Sequence, residues 1–430
     1  MNSTLILYNV LIIQPLRLFV FIYSFFSPKL RERENAYQST LDVLSHLPKS
    51  TKSRVWFHAA SMGEFEQAKP IIERLKSKHP DIIVIVSFFS PSGFRNQKNY
   101  PLADAVVYMP LDTHSNVREF LELVKPDVAV FIRYELWLNH LTILKDTGIS
   151  TFLMCATFPG SKVWLYLPFR TILISILRTF TAIYTVSQAE TKRFNTFASS
   201  LPVLTSGDTR FDRILSIVDN LHLKNDILPE NYFTPDDFVL VVGSSWEKDE
   251  DMIIESIRNL DQKYPQIKLI IVPHEPSHEH VSKLIQKLPS AMVLSQISKD
   301  SPKGSYIITD SIGNLLRLYS YARAAFVGGG FGAGVHSTAE PAGYGIPVAC
   351  GPFITRSPDA QNLYNNGALE LITSPQECFR WLELLLTDTV EYNRRSKQAK
   401  DYVYQGKGAS EILTERIMEA LVESRSVVSR

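Results

Sequence analysis

Three cysteines are all that this chain of 430 residues contains, and Cys155, Cys350 and Cys378 stand far apart. No CxxC pair or metal-ligand spacing joins them, so they read as reduced core thiols of a cytosolic domain. Excess charge is missing as well. The 45 Lys and Arg against 44 Asp and Glu leave a formal net charge of +1, so bulk electrostatics gives no case for nucleic-acid binding. No Walker A sequence is present, which removes the usual NTPase reading. A dinucleotide fingerprint is lacking too. In Gly330-Phe331-Gly332-Ala333-Gly334 the third glycine comes too early, no acidic residue ends a following strand at a spacing of about 20, and the segment lies late in the chain. These departures argue against a hydride-transfer enzyme. Internal repeats and low-complexity tracts are absent.

What is present begins with an apolar stretch, Leu5–Phe26, followed by Ser27-Pro28 and then Lys29, Arg31 and Arg33. It is just long enough to cross a bilayer, which takes about 20 residues. Pro15 and Arg17 in its middle oppose a simple span, since a central Arg costs roughly 3 kcal/mol. It lacks the charged start and small-residue cleavage site of a signal peptide. It reads as a membrane anchor, spanning or lying in the interface, with a helix buried against the first domain as the alternative. The basic cluster would keep the body on the cytoplasmic face.

Beyond the anchor, strands alternate with helices. Val55–Ala59, Ile82–Phe88, Ala105–Tyr108, Val128–Ile132, Thr151–Cys155 and Ala182–Val186 form one strand series, with helices expected at Ser61–Lys76 and Asn116–Val124. A second series is Phe238–Val242, Lys268–Val272, Ala291–Leu294, Tyr306–Ile308, Ala324–Val327 and Val348–Cys350. Such alternation means parallel sheets covered on both faces. The expected class is α/β, with two doubly wound domains facing a cleft. The expected organisation is an anchor over 1–34, a first domain over 35–215, a linker over 216–235, a second domain over 236–405 and a C-terminal helix over 406–430.

The candidate site residues lie where strands hand over to helices. Five glycines fall within seven residues from Gly328 to Gly334. There Gly329, Gly330, Phe331 and Gly332 form a loop that lets a ligand approach closely, before a short helix opened by His336-Ser337-Thr338 and carrying Glu340. The alternative is a turn that merely packs helix on sheet. Ser61, Gly63 and Glu64 follow the first strand, where Glu64 is either the acid of a capping box or a carboxylate facing the cleft. Glu135 follows the fourth strand and either faces the same cleft or pairs with Arg133 or a nearby Lys. Ser244 and Trp246 suit a phosphate, a ribose or a base, or a plain N-cap. Ile312, Gly313 and Asn314 precede a helix one unit before the glycine loop, and His274 ends its strand. The last two are open to structural readings, a helix cap and a core histidine.

Several blocks in this order carry a resemblance: Ser61-Met62-Gly63-Glu64, Glu135-Leu136-Trp137-Leu138-Asn139, Gly207-Asp208-Thr209-Arg210-Phe211-Asp212, Gly243-Ser244-Ser245-Trp246-Glu247, Asp310–Leu315 and Gly328–Pro341. The chain resembles the bacterial 3-deoxy-D-manno-octulosonic acid (Kdo) transferases of lipopolysaccharide synthesis over nearly its whole length. The glycine loop and Pro273-His274-Glu275 look like the Bacteroidetes branch. The resemblance implies a GT-B fold, CMP-Kdo as donor and a lipid A precursor (lipid IVA) as acceptor. It also implies transfer with inversion and a location on the cytoplasmic face of the inner membrane. Glu64 would be the base. Ser244, Gly313 and the glycine loop would hold the nucleotide, with Glu340 near the ribose. No cofactor and no obligatory metal are expected, since no DxD sits beside these turns; helix N-termini would take the charge. The start of a helix should also hold Glu64 ionised. Ser337 stands where many members have Asn, and Thr157 where many have Arg, which alters the donor contacts.

Overall fold

The computed structural model describes residues 3–48, 52–198, 200–220 and 227–428, with the backbone alone described at 28–30, 33–35 and 427–428. The side chains of Lys29 and Arg33, part of the expected basic cluster, lie outside the described residues, as do residues 221–226 of the expected linker. The chain divides into two compact units, Met1–Arg213 with Gly408–Arg430, and Ile214–Lys407.

The first unit is built on seven parallel strands: β1 (Arg54–Ala59), β2 (Ile83–Phe88), β3 (Ala105–Tyr108), β4 (Val128–Ile132), β5 (Ser150–Ala156), β6 (Ala182–Thr185) and β7 (Val203–Thr205). Their order is β3-β2-β1-β4-β5-β6-β7. Every residue of β1, β2 and β4 is buried, as the unbroken apolar runs require of strands covered on both faces. Trp56 anchors one face against Phe120 and Phe131, and Phe65 anchors the other against Phe88. The chain walks outward from β1 to β3, then returns to β4, so the order reverses between β1 and β4.

The second unit repeats the plan with β8 (Phe238–Ser245), β9 (Ile267–Pro273), β10 (Met292–Val293), β11 (Tyr306–Ile308), β12 (Ala324–Val327), β13 (Val348–Cys350) and β14 (Leu369–Leu371). The order is β10-β11-β9-β8-β12-β13-β14, and it reverses between β8 and β12. Two Rossmann-like parallel sheets of this kind make a GT-B fold.

Three features differ from the sequence reading. Residues 227–233 do not link: Leu228 and Tyr232 are buried in the second unit, with Ile227 and Phe233 packed on the same cluster. The boundary between the units falls inside the helix Thr209–Asn220. The last helix, Ala409–Val428, is part of the first unit, where Leu413, Ile417 and Leu421 join the cluster around Val55, Phe57 and Phe65. Asp212 fixes its start by accepting from the N–H groups of Gly408 and Ser410, both at 2.7 Å.

The N-terminal segment Ser3–Ser24 is one helical run, long and apolar enough to cross a membrane, with a π-helical turn at Asn9–Ile13. Only 17% of its apolar window is buried. The buried part is specific. Tyr8 donates a 2.6 Å hydrogen bond to Asp112, and Asn9 exchanges amide bonds with Asn139. Asp112 has no exposed surface and lies 2.6 Å from Nδ1 of His140. Burial alone would raise its carboxyl, but the His140 and Tyr8 contacts hold it below the usual range. The run is therefore tied into the first unit at one end and exposed over most of its length.

Candidate active site

In the first unit the polar side chains gather at the carboxyl ends of β1, β2 and β4, around the reversal of strand order where open α/β sheets bind ligands. The capping box at the start of the helix Met62–Lys78 forms: Glu64 N–H donates to Ser61 Oγ at 3.4 Å. The Glu64 carboxylate in turn accepts from Ala60 N–H at 2.6 Å and Ser61 N–H at 3.3 Å. Glu64 is buried. Burial first, and the charge of Glu135 second, push its carboxyl above the usual range against the N–H groups and His58. The helix start, expected to hold Glu64 ionised, is opposed here by desolvation, and the net shift is upward. Burial raises the Tyr134 phenol, Arg133 opposes this, and the Glu64 and Glu135 charges add to it. A Cβ added at Gly63 would meet no atom within 4 Å, so the turn beside the carboxylate borders open space.

Glu135 does not pair with Arg133 or a lysine. Its Oε2 accepts from Trp137 Nε1 at 2.5 Å and lies 3.1 Å from His58 Nε2. Arg133, held at φ 72°, places its guanidinium over the Tyr134 ring at 5.3 Å. The network continues inward. His58 Nδ1 lies 2.9 Å from Ser87 Oγ, which accepts from Trp56 Nε1 at 2.8 Å. Trp137 stacks on Phe89 at 5.0 Å. Two buried carboxylates thus sit at one sheet edge, one braced by imidazole and indole, the other by backbone N–H groups. That arrangement can take a proton from a bound hydroxyl.

In the second unit the turns after β8, β9 and β12 meet. The register between β8 and β9 shifts between Gly243 and Ser245, and Ser244 adopts φ 52°, a left-handed position at the bulge. Asp249 joins two turns: its Oδ2 accepts from Trp246 N–H and Gly329 N–H, both at 2.9 Å. Burial pushes this carboxyl up to about 6 against those two donors. Its other oxygen is buried without a protein partner. The rings of Trp246, His274 and His336 form a stack, with centroids 4.9 Å and 4.5 Å apart. Burial, then His274, lowers the His336 pKa. A cavity of about 490 Å³ is lined by Ser245, Trp246, Asp249, His274, His280, Gly329, Phe331 and Gly332, among others.

The glycine loop is more internally bonded than its sequence suggests. The N–H groups of Gly328, Gly332, Gly334 and His336 donate to carbonyls within the turns, and that of Gly329 to Asp249. Close packing explains two of its glycines. A Cβ on Gly328 would lie 2.4 Å from the Ser244 carbonyl oxygen, and one on Gly330 would lie 2.6 Å from Gly351 N. The helix carrying Glu340 is only Ala339–Gly343, and the one after Asn314 is only Leu315–Leu318. Neither is long enough to develop a full dipole, so the expected charge stabilisation by helix N-termini has little to rest on at these two turns. Ile312, Gly313, Asn314, Ser337 and Glu340 lie outside the cavity lining, as does Ser244, which directly precedes lining residue Ser245. Ile312 is exposed and Gly313 holds φ 93° in the turn after β11. Asp310 accepts from Ser295 Oγ rather than capping the next helix. Among the described residues, no three His, Cys, Asp or Glu side chains group so as to hold a metal ion.

His58, Ser87, Tyr134 and Trp137 around the first carboxylates, and Asp249 in the second unit, were not singled out as site residues from the sequence. Asp249 left a signal, an acid at the third position of a helix. Tyr134 and Trp137 are sequence neighbours of Glu135, whereas His58 and Ser87 reach it only through strand pairing.

Residues 29–213 match the family described as 3-deoxy-D-manno-octulosonic-acid transferase (kdotransferase). A Haemophilus influenzae 3-deoxy-D-manno-octulosonic acid transferase is 26% identical over 408 residues, which is 93% of this chain and 94% of that protein. The Aquifex aeolicus protein of the same name is 27% identical over 357 residues, covering 82% of this chain and 92% of its own. Among solved structures, the UDP-GlcNAc 2-epimerase of Neisseria meningitidis superposes with a TM-score of 0.63 at 18% identity, over 85% of this chain and 100% of that one. Acinetobacter baumannii MurG does so with a TM-score of 0.52 at 13% identity, over 85% and 99%. These two likenesses concern the fold.

Proposed function

We propose that this chain, a relative of the Kdo transferases over most of its length, is a glycosyltransferase that moves Kdo from CMP-Kdo to a lipid A precursor. Kinship gives the reaction class. The observation that carries the mechanism is Glu64, a buried carboxylate with a raised pKa at the reversal point of the first sheet. An acceptor hydroxyl attacks the anomeric carbon of the donor while the carbon–oxygen bond to CMP breaks, and CMP keeps the electron pair. The hydroxyl proton goes to Glu64, and the configuration inverts. A carboxylate whose pKa is raised is a stronger base than an ordinary one once it is ionised. The donor's planar base suits the rings of Trp246 and His274 beside the cavity, and its phosphate suits N–H and hydroxyl donors in the turns after β8 and β12. No obligatory metal takes part. The apolar N-terminal run holds the enzyme at the inner membrane, with the catalytic units on the cytoplasmic side.

Incubation with CMP-Kdo and a lipid A precursor, with product masses read out, tests this reading. Addition of Kdo in the presence of a chelator is expected. Transfer from a different sugar nucleotide alone would reassign the donor, and no transfer from any would leave a lipid-binding protein.

A further inference from the structure

We propose that the loop Val163–Leu167 is a second membrane-inserting element, which dips into the bilayer beside the N-terminal apolar run. Within it Val163, Leu165, Tyr166 and Leu167 are 40, 51, 66 and 76% exposed. A run of apolar side chains directed at water has no folding benefit, and contiguous exposure of this kind marks a contact surface. The loop is nonetheless held in place. Trp164 packs on the first unit's core and meets Phe169 edge-on at 6.3 Å. Its neighbours are thus presented by a fixed anchor.

The occupant follows from three observations. The loop leads directly into the helix Phe169–Leu177, which packs against the start of the apolar run at Ser3–Tyr8. That run exposes Leu7, Val10, Leu11, Phe19 and Phe21, so one packed pair of segments carries both apolar surfaces. Next, exposed basic residues flank the loop, Lys162 before it and Arg170 after it. Basic side chains around Leu, Trp and Tyr suit anionic headgroups above an acyl interior. Finally, the most exposed side chains, Tyr166 and Leu167, protrude rather than line a groove, which fits a fluid bilayer better than a single lipid held by the protein. The loop follows β5, and β5 pairs with β4, which ends at Ile132 shortly before Glu135. Insertion would therefore turn the edge of the sheet that carries Glu64 and Glu135 toward the lipid surface. This does not depend on which sugar the enzyme transfers.

All three native cysteines are buried, so Leu167→Cys introduces the one thiol exposed among them for an environment-sensitive label. The full chain, N-terminal run included, is reconstituted in vesicles of phosphatidylethanolamine and phosphatidylglycerol, some carrying nitroxide on the acyl chain. The expected result is strong quenching by the nitroxide lipid and protection from aqueous iodide. A label that stays iodide-accessible and unquenched overturns the proposal. So does quenching that appears only when an acylated acceptor is added, which would make the loop an acceptor contact. Tyr166→Cys gives the same readout should Leu167→Cys fold poorly.

Discussion

Nε2 of His58 lies 3.1 Å from Oε2 of Glu135, with both side chains buried at the edge of the sheet that also carries Glu64. The pair acts on Glu64 in opposite senses: the Glu135 charge raises its carboxyl and His58 lowers it. A second carboxylate thereby adds to the shift that desolvation already gives Glu64, and His58 limits it.

Glu64→Gln separates catalysis from capping. Glutamine still completes a capping box, so stability should change by under about 1 kcal/mol in thermal melts. Turnover should fall by roughly 10²–10⁴-fold, while donor binding persists in calorimetry. Near-native turnover would reduce Glu64 to a helix cap.

Glu135→Gln removes a negative charge that raises Glu64. A base must be unprotonated, so wild-type activity should fade on acidification at a higher pH than an ordinary carboxylate would give. In the variant that acid limb should move to lower pH. A limb that stays in place in kcat against pH would mean that Glu64 is not the group titrating.

Asp249→Asn keeps an oxygen for the N–H groups of Trp246 and Gly329, whereas Asp249→Ala leaves both unpaired at about 1–3 kcal/mol. The alanine variant should melt lower and bind donor more weakly; the asparagine variant should do neither. Asp249 has a pKa of about 6, above the usual carboxylate value. The folded state therefore holds its proton where the unfolded state has lost it, so stability declines as pH rises from about 4 to 6 and is flat above. Denaturant midpoints across that window should show the slope in the native chain and lose this part of it in Asp249→Asn.

Gly328→Ala tests the close approach of the two turns. The new methyl would sit 2.4 Å from the Ser244 carbonyl oxygen and 2.8 Å from the Asp249 carboxylate. These are backbone and buried partners that cannot swing aside. Donor affinity should drop by about tenfold or more, as expected when turns positioning a ligand shift by an ångström, with Glu64 chemistry unaffected in saturating donor.

Tyr8→Phe probes how far the apolar run belongs to the first unit. Losing the hydroxyl from buried Asp112 should cost about 1.5–3 kcal/mol, read as a lower melting temperature in detergent, while sedimentation with membranes is unchanged. By the same logic, deletion through Arg33 would strip Asp112 and Asn139 of partners, so the run is more than a removable tether.

The strands and the two-domain plan were legible because β-branched runs such as Ile83–Phe88 must be buried on both faces. Glu64 was legible from its place after β1. The environment of Glu64 was not. His58 and Ser87 lie on β1 and β2 and Glu135 in the turn after β4, so only sheet pairing makes them neighbours, and no local signal reports desolvation. The glycine loop misled in part, because local sequence cannot tell N–H groups free for a ligand from those donated to Gly328 O, Gly329 O or Asp249. Leu228 and Tyr232 were hidden among Asn and Pro, which marked the segment as linker although its few large side chains are core.

Asp212 accepting from Gly408 and Ser410 has a bearing on how the protein is made. The helix it pins, Ala409–Val428, seals one face of the sheet that begins at Arg54. On a ribosome, that sheet emerges whole long before its last cover is translated, and the entire second unit must follow first. Val55, Phe57 and Phe65 would spend that interval without part of their packing, a long-range contact that slows closure and leaves apolar surface open to other chains. At synthesis rates of about 5–20 residues per second, the roughly 200 intervening residues amount to tens of seconds, during which the nascent first unit would depend on membrane or chaperone for shelter.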